Sequence, residues 1–122
     1  MISIKTLPKA TAQEVFDQVA VHMLTQNKRS MDEVGCHCLY YGDAGAKCAA
    51  GCLIADDEYK SSFEQQTWGD LVSAKDVPKE HSDLIEHLQS IHDDYDIGNW
   101  KSALTELADG YNLNTDNAIF TK

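Results

Sequence analysis

The sequence predicts a mainly α-helical domain with a smaller β component, and two kinds of pattern carry this prediction. Thr11 and Glu14 have the spacing of a capping box, which satisfies backbone donors at the start of a helix. Beyond Pro78 and again beyond Asn99, apolar residues recur at the three- and four-residue spacing of a buried helical face. We therefore expect a compact helical domain of three or more main helices.

The first helix follows the capping box and should end near Gln26 or Asn27, before a polar stretch at residues 27–30. Its buried face is predicted from apolar residues that recur at helical spacing: Ala12, Val15, Phe16, Val19, Ala20 and Met23.

Residues 34–59 have a different character, and they predict a short β element around residues 36–49. Residues 36–41 include types that favour a strand, and residues 42–45 form a turn signal with two glycines. Residues 46–54 fit either a second strand or a short helix. We favour a short helix here, because its alanines are good helix formers.

The second half of the chain predicts a loop or broken helix over residues 56–75, followed by two regular helices. Pro78 suits the first turn of a helix, Asn99 suits the cap of the last helix, and Gly110 suits its end. The predicted core combines the inward residues of all segments: Val15, Phe16, Val19, Leu53, Leu84, Ile85, Leu88, Trp100, Leu104 and Leu107.

The length of 122 residues supports one hydrophobic core, so we predict a single globular domain over residues 1–122, with a loose tail at 115–122. The net charge of −10 argues against binding of duplex nucleic acid through a basic patch. It favours solubility, or a surface that meets a basic partner. The acidic pairs at residues 56–57 and 93–94 are typical of solvated positions.

The first nine residues lack the apolar run of a signal peptide, and no segment has the apolar length of a membrane span. We therefore predict a cytoplasmic protein that does not enter a membrane. Its four cysteines are then expected to be reduced. The sequence does not indicate an oligomeric state.

The cysteines Cys36, Cys38, Cys48 and Cys52 predict one candidate metal site. Four sulfur ligands would suit zinc in tetrahedral coordination. The intervals between successive cysteines contain one, nine and three residues, whereas a zinc knuckle has two residues between its paired cysteines. We therefore favour a role in packing for these small side chains, with zinc as an alternative.

A second alternative is a small-molecule-binding or thiol-dependent protein with a pocket near Tyr40, Lys47 and Cys48. The charge of Lys47 would favour a thiolate at Cys48, and His92 or His37 would supply a base. No nucleophile signature surrounds Cys48. The sequence therefore favours a protein that is not an enzyme.

Residues 38–42, 47–54 and 56–59 resemble a group of small proteins from bacteriophages and proteobacteria. They carry a Cys-x-Tyr motif, a Lys-Cys-Ala-x-Gly-x-Leu-Ile motif and an Asp-x-x-Tyr motif. The opening helix and residues 88–93 are similar to that group as well. In the group an arginine often follows the tyrosine of the first motif, where this chain has Tyr41, so no role of that arginine carries over.

The resemblance implies an accessory product of a phage or mobile element, without a particular mechanism. Together with the small size and the acidity, it leads us to expect a non-enzymatic accessory protein that binds a macromolecular partner, most simply another protein.

Overall fold

The computed structural model describes residues 1–35 and 38–121, and it confirms the predicted fold class. The α-helices of this part of the chain are α1 (Ala12–Gln26), α2 (Trp68–Ser73), α3 (Ser82–Asp94) and α4 (Trp100–Gly110). Short 3₁₀ turns lie between and beyond them, at Leu7–Lys9, Asp43–Gly45, Gly51–Leu53, Ser61–Phe63, Ile97–Asn99 and Ala118–Thr121.

Helix α1 agrees with its prediction at both ends. The Thr11 side chain accepts a hydrogen bond from the Glu14 amide (3.1 Å), and the Glu14 carboxylate accepts one from the Thr11 amide (2.8 Å). Asn27 ends the helix by adopting a left-handed conformation with φ of 54°. Because all these contacts are local, the sequence alone specifies this element.

Helix α3 begins at Ser82, so the predicted start at Pro78 is wrong. His81 has a left-handed backbone with φ of 63°, which separates the proline from the helix. The His81 side chain donates from Nε2 to the Ala10 carbonyl at 2.7 Å. This contact with the segment before α1 holds residues 78–81 in a turn. The apolar stripe predicted for this helix is buried at Leu84, Ile85, Leu88 and Ile91, whereas Tyr95 at its end is 48% exposed.

Helix α4 also starts differently from the prediction. The backbone dihedral angles of Asn99 are nearly helical, and its side chain makes no capping hydrogen bond. Asn99 is the last residue of the 3₁₀ turn Ile97–Asn99, which continues directly into α4. The Asn99 amide bonds to the Asp96 carbonyl instead, at 2.8 Å. Gly110 is the last residue of the helix, close to the predicted end.

The core lies among α1, α3 and α4, which contact one another, while α2 packs against α3. Of the predicted core residues, all but one are buried: Val15, Phe16, Val19, Leu53, Leu84, Ile85, Leu88, Trp100 and Leu104. Leu107 packs at the edge and is partly buried. Leu7 and Leu71 complete the interior from outside the predicted set.

The described residues between α1 and α2 contain two isolated antiparallel bridges, Met31 with Cys38 and Tyr41 with Lys47. The second bridge lies inside the predicted β region. The helix that we favoured over residues 46–54 is only the 3₁₀ turn Gly51–Leu53. A Cβ atom on Gly51 would lie 2.1 Å from the Tyr40 carbonyl oxygen, so two stretches of backbone meet here at a distance that only glycine allows.

The C-terminal segment, for which the sequence predicts a loose tail, contacts α1. Phe120 stacks on Phe16 with ring centroids 5.8 Å apart and planes that differ by 2°. Asn114 exchanges two hydrogen bonds with Gln13 of α1 (2.9 and 3.1 Å).

None of the helices in the described ranges has both the length and the apolar character that crossing a lipid bilayer requires.

Glu58 joins the N-terminal segment to the middle of the chain. Its carboxylate accepts hydrogen bonds from the amides of Ile4 (3.0 Å), Lys5 (3.1 Å) and Ala55 (2.9 Å) and from the Ser3 hydroxyl (3.1 Å). Burial alone would raise the pKa of Glu58, but these donors together hold it below its ordinary value of 4.5. The charged form therefore stabilises the folded state.

We predict that Glu58→Gln lowers the free energy of unfolding by about 1 kcal/mol at neutral pH, because the amide nitrogen that replaces one carboxylate oxygen cannot accept hydrogen bonds and the remaining oxygen carries no full charge. A carboxylate whose folded pKa is depressed contributes stability above its unfolded pKa and loses it as the pH falls through its folded pKa. Urea unfolding of the variant should thus depend less on pH below about 4.5.

The control is Glu106→Gln, at an exposed position of α4. It should change stability by less than about 0.5 kcal/mol. An unchanged acid sensitivity in Glu58→Gln would show that Glu58 does not tie these segments together.

Candidate functional site

A cleft of about 330 Å³ lies between α3 and the segment that leads into α2. One wall is a face of α3, since residues 86, 89, 90, 93 and 94 recur at helical spacing. The other wall is residues 64–68, and Cys38, Tyr40 and Cys48 complete the lining. Among the described residues, the lining includes four carboxylates, from Glu64, Glu86, Asp93 and Asp94, and no lysine or arginine.

Glu64 builds the wall that faces α3. Its carboxylate accepts hydrogen bonds from the amides of Tyr40 (2.9 Å) and Tyr41 (3.2 Å) and from the hydroxyl of Tyr59 (2.7 Å). Tyr40 in turn donates from its hydroxyl to the Gln66 carbonyl at 2.5 Å. These bonds hold residues 64–66 against residues 40–41, so both oxygens of Glu64 serve the fold.

Glu86 projects from α3 towards the first turn of α2. Its Oε1 accepts a hydrogen bond from the Gly69 amide at 3.0 Å. A Cβ atom on Gly69 would lie 2.7 Å from that oxygen, so the glycine lets the carboxylate approach the backbone. No further bond is recorded for Glu86 in the described structure, which leaves Oε2 free to accept.

Trp68 lies where α2 meets the cleft. It is the first residue of α2, it lines the cleft, and it is only 2% exposed. Its indole Nε1 is the one buried side-chain nitrogen or oxygen without a hydrogen-bond partner among the residues that the structure describes. A buried donor without an acceptor costs free energy, and such groups are rare in folded proteins.

His92 is fully buried in α3, and both of its ring nitrogens are occupied. Nε2 accepts a hydrogen bond from the Ser30 amide at 3.1 Å, so the ring proton must lie on Nδ1. Nδ1 then donates to Asp93 Oδ1 at 2.7 Å. The ring also stacks on Trp100, with centroids 5.4 Å apart. These contacts fix the orientation of Asp93 at the cleft.

Arg29 strengthens the same junction. Its Nε donates to the His92 carbonyl at 3.1 Å, and its terminal nitrogen donates to the Tyr95 carbonyl. A cation at this end of α3 satisfies carbonyls that have no partner within the helix.

Cys38, His92 and Asp93 are the described residues that bring three metal-ligating atoms together, all within 4.8 Å of one another. The hydrogen bonds of His92 speak against a metal ion there. A metal on Nδ1 would move the proton of the neutral ring to Nε2, where it would face the hydrogen of the Ser30 amide. The group therefore fits a hydrogen-bonded junction better than a zinc centre.

Cys48 and Cys52, the other predicted ligands among the described residues, do not belong to this group. Cys48 lines the cleft and its sulfur accepts a hydrogen bond from the Gly51 amide (3.2 Å). Cys52 lines a different groove and donates to the Ala49 carbonyl at 3.1 Å. Cys36 lies outside the described residues, so zinc bound by all four cysteines stays a prediction.

The described thiols are strongly protonated. Burial raises the pKa of Cys38 to about 11, and the neighbouring Asp93 adds to this effect. Burial also raises the pKa of Cys52 to about 12 and that of Cys48 well above its ordinary value. Because the thiolate is the nucleophile, these side chains are poorly suited to attack a substrate at neutral pH.

The pocket predicted near Tyr40, Lys47 and Cys48 divides into two places. Tyr40 and Cys48 line the cleft, but Lys47 does not. Its Nζ pairs with Asp56 at 3.2 Å and lies 4.6 Å from the centre of the Tyr41 ring. Lys47 therefore cannot activate Cys48 in the predicted way.

Lys47 and Cys52 instead border a larger, mostly apolar groove of about 940 Å³ between α1 and the N-terminal segment. His22 also lines this groove and donates to the Lys47 carbonyl at 2.7 Å. The unpaired donor and the concentration of acidic groups both belong to the cleft, so we take the cleft as the candidate site.

Comparisons add no relative: no protein-family model, no curated protein and no solved structure matches this chain.

Three residues of the cleft were not predicted as site residues from the sequence: Glu64, Trp68 and Glu86. The wall formed by α3 could have been detected in the sequence, because its polar residues recur at the same helical spacing as the apolar stripe beside them. Glu64 and Trp68 give no local signal. The backbone partners of Glu64 lie 24 and 23 residues away, and the indole nitrogen of Trp68 has no partner among the described residues.

We predict that His92→Leu lowers the free energy of unfolding by about 2–4 kcal/mol, because the Ser30 amide is then buried without an acceptor. Urea unfolding measures the change. His87→Leu is the control, since His87 is exposed on the same helix. It should cost about 1 kcal/mol or less. Equal effects of the two substitutions would contradict the role assigned to His92.

We also predict slow alkylation of Cys38, Cys48 and Cys52 in the folded protein. Their rates with iodoacetamide near pH 7.5 should be about tenfold or more below those of the urea-unfolded chain, because little thiolate is present. Peptide mass spectrometry resolves each site. Rapid labelling of Cys48 in the folded state would instead support a thiol-dependent activity.

Proposed function

We propose that this chain is a non-enzymatic accessory protein that binds a protein partner by receiving a positively charged segment of that partner in the cleft. The supporting observation is the lining itself. Four carboxylates line one concave space, those of Glu64, Glu86, Asp93 and Asp94. The described residues of the lining include no lysine or arginine.

The arrangement of charge favours a cationic ligand. In the part of the chain that the structure describes, no lysine or arginine forms an ion pair with any of these carboxylates. A cleft lined by charges of one sign attracts ligands of the opposite sign. A bound cation would offset the negative charge of this lining.

Binding is a better fit to the cleft than catalysis. Burial keeps the Cys38 and Cys48 thiols protonated, so neither is an activated nucleophile. The His92 ring nitrogens are both engaged, by Ser30 and Asp93, so this histidine is not free to move a proton. The acidity of the chain and its resemblance to phage-type accessory proteins support the same proposal.

The test uses defined probes in isothermal titration calorimetry. A peptide acetyl-Gly-Arg-Gly-Lys-Gly-amide should bind saturably, whereas peptides with norleucine or glutamate at both charged positions should not. The affinity should fall several-fold between about 50 and 200 mM salt, because opposite charges bring the two together.

Paired substitutions locate the binding surface. Glu86→Gln with Asp94→Asn should weaken the basic peptide about tenfold or more, since each removes a charge from the cleft. Glu106→Gln with Asp109→Asn removes the same charge from exposed positions of α4 and is the control. Equal weakening by both pairs, or no saturable binding, would refute the proposal.

A further inference from the structure

We propose that Met31 and Cys38 form a binding site for copper(I), which their two sulfur atoms coordinate together. This inference goes beyond the proposed function and does not depend on it, because the ion is held by sulfur and not by the carboxylates of the cleft.

The contact between the two sulfurs is the first observation that supports the site. The Cys38 thiol donates to the thioether sulfur of Met31 at 3.4 Å. Bonds from a metal ion to sulfur are about 2.3 Å long, so two sulfurs that share one ion at trigonal angles lie about 4 Å apart. The methionine side chain is unbranched and has three rotatable bonds, so it can make this small adjustment without moving the backbone.

The backbone holds the two side chains next to each other. An antiparallel bridge pairs Met31 with Cys38, and residues directly opposite each other in such a pair place their side chains on the same face. The Leu39 amide donates to the Ser30 carbonyl at 2.9 Å, and the Asp43 amide donates to the Met31 carbonyl at 2.8 Å. The two ligands are therefore brought together by folding, which reduces the entropy cost of binding an ion.

The donor set selects copper(I) over zinc. Thiolate and thioether sulfurs are soft ligands that favour copper(I), and zinc sites take at least three protein ligands from cysteine, histidine and carboxylates. His92 lies near Cys38, but both of its ring nitrogens already bind Ser30 and Asp93. Copper(I) accepts low coordination numbers, so the two sulfurs can hold it while this junction stays intact.

The ion can reach the site, and the chemistry of binding balances. Cys38 lines the cleft and Met31 is only partly buried, so the cleft provides a path from solvent. The bond between copper and Sγ of Cys38 replaces the S–H bond, and the displaced proton passes to solvent. Copper stays in its reduced state throughout, so no electron is transferred.

The methionines of the chain provide an internally controlled test. The chain has three, Met1, Met23 and Met31. Met23 is buried in α1 and Met1 is fully exposed, so neither belongs to the site. The full chain, with isotope-labelled methionine methyl groups, is titrated with the acetonitrile complex of copper(I) under anaerobic conditions and followed by NMR. Equimolar copper(I) should shift the Met31 methyl signal and leave the other two in place, whereas zinc should shift none of them.

Substitutions then measure the share of each sulfur, with bicinchoninate as the competing ligand for copper(I). Met31→Leu nearly conserves the side-chain volume and should weaken copper(I) binding about tenfold or more. Cys38→Ser should abolish the shift of the Met31 signal. The control is Cys52→Ser, which removes a thiol that lines a different groove and should change neither result.

Two results would overturn the copper site: a Met31 signal that copper(I) does not shift, or an affinity of Met31→Leu equal to that of the unsubstituted chain. Displacement of bound copper(I) by an equal concentration of zinc would overturn the choice of metal. The assay contains no peptide, so its failure would leave the proposed function standing.

Discussion

The hydrogen bond from the Ser30 amide to His92 is the constraint on which the candidate site depends. It joins the chain just after α1 to the C-terminal turn of α3, and it does so in the buried interior. Because the bond consumes the lone pair of Nε2, it forces the ring proton towards Asp93 and so fixes one wall of the cleft. Arg29 reinforces the junction from outside by binding the His92 carbonyl.

The sequence predicted those parts of the fold that local interactions determine. The capping box at Thr11 and the apolar stripe around Leu88 are both complete within a few helical turns, and both were confirmed. The start of α3 was mispredicted because the contact of His81 with Ala10, which is distant in sequence, competes with the preference of Pro78 for a first turn. Most of the cleft was missed for the same reason, although Tyr40 and Cys48 of the predicted pocket line it. Glu64 acts on Tyr40, and no periodicity reveals a bond between residues so far apart.

The acidity of the chain has two different physical roles, which its net charge alone does not separate. Glu58 and Glu64 bind backbone amides and hydroxyls and therefore belong to the folded framework. Glu86 and Asp94 keep oxygens that accept no hydrogen bond from the described residues, and both line a concave surface. If the acidic composition is interpreted only as a source of solubility, both groups are overlooked. The carboxylates of the first group act as internal hydrogen-bond acceptors. Those of the second group matter through their position in the cleft more than through how many there are.

The region between α1 and α2 has few backbone ladders, and this affects how it can evolve. Besides two isolated bridges and separate backbone hydrogen bonds in its described residues, it is held by side chains that bind distant parts of the chain, such as Gln89 to the Ala50 amide and Glu58 to the Ile4 amide. The exposed positions between such anchors are then free to vary, while each anchor and each buried residue tolerates little change. Sequence drift in this region should therefore be uneven. The outline of the proposed binding surface would then diversify quickly between lineages, while a handful of polar residues keeps the same scaffold.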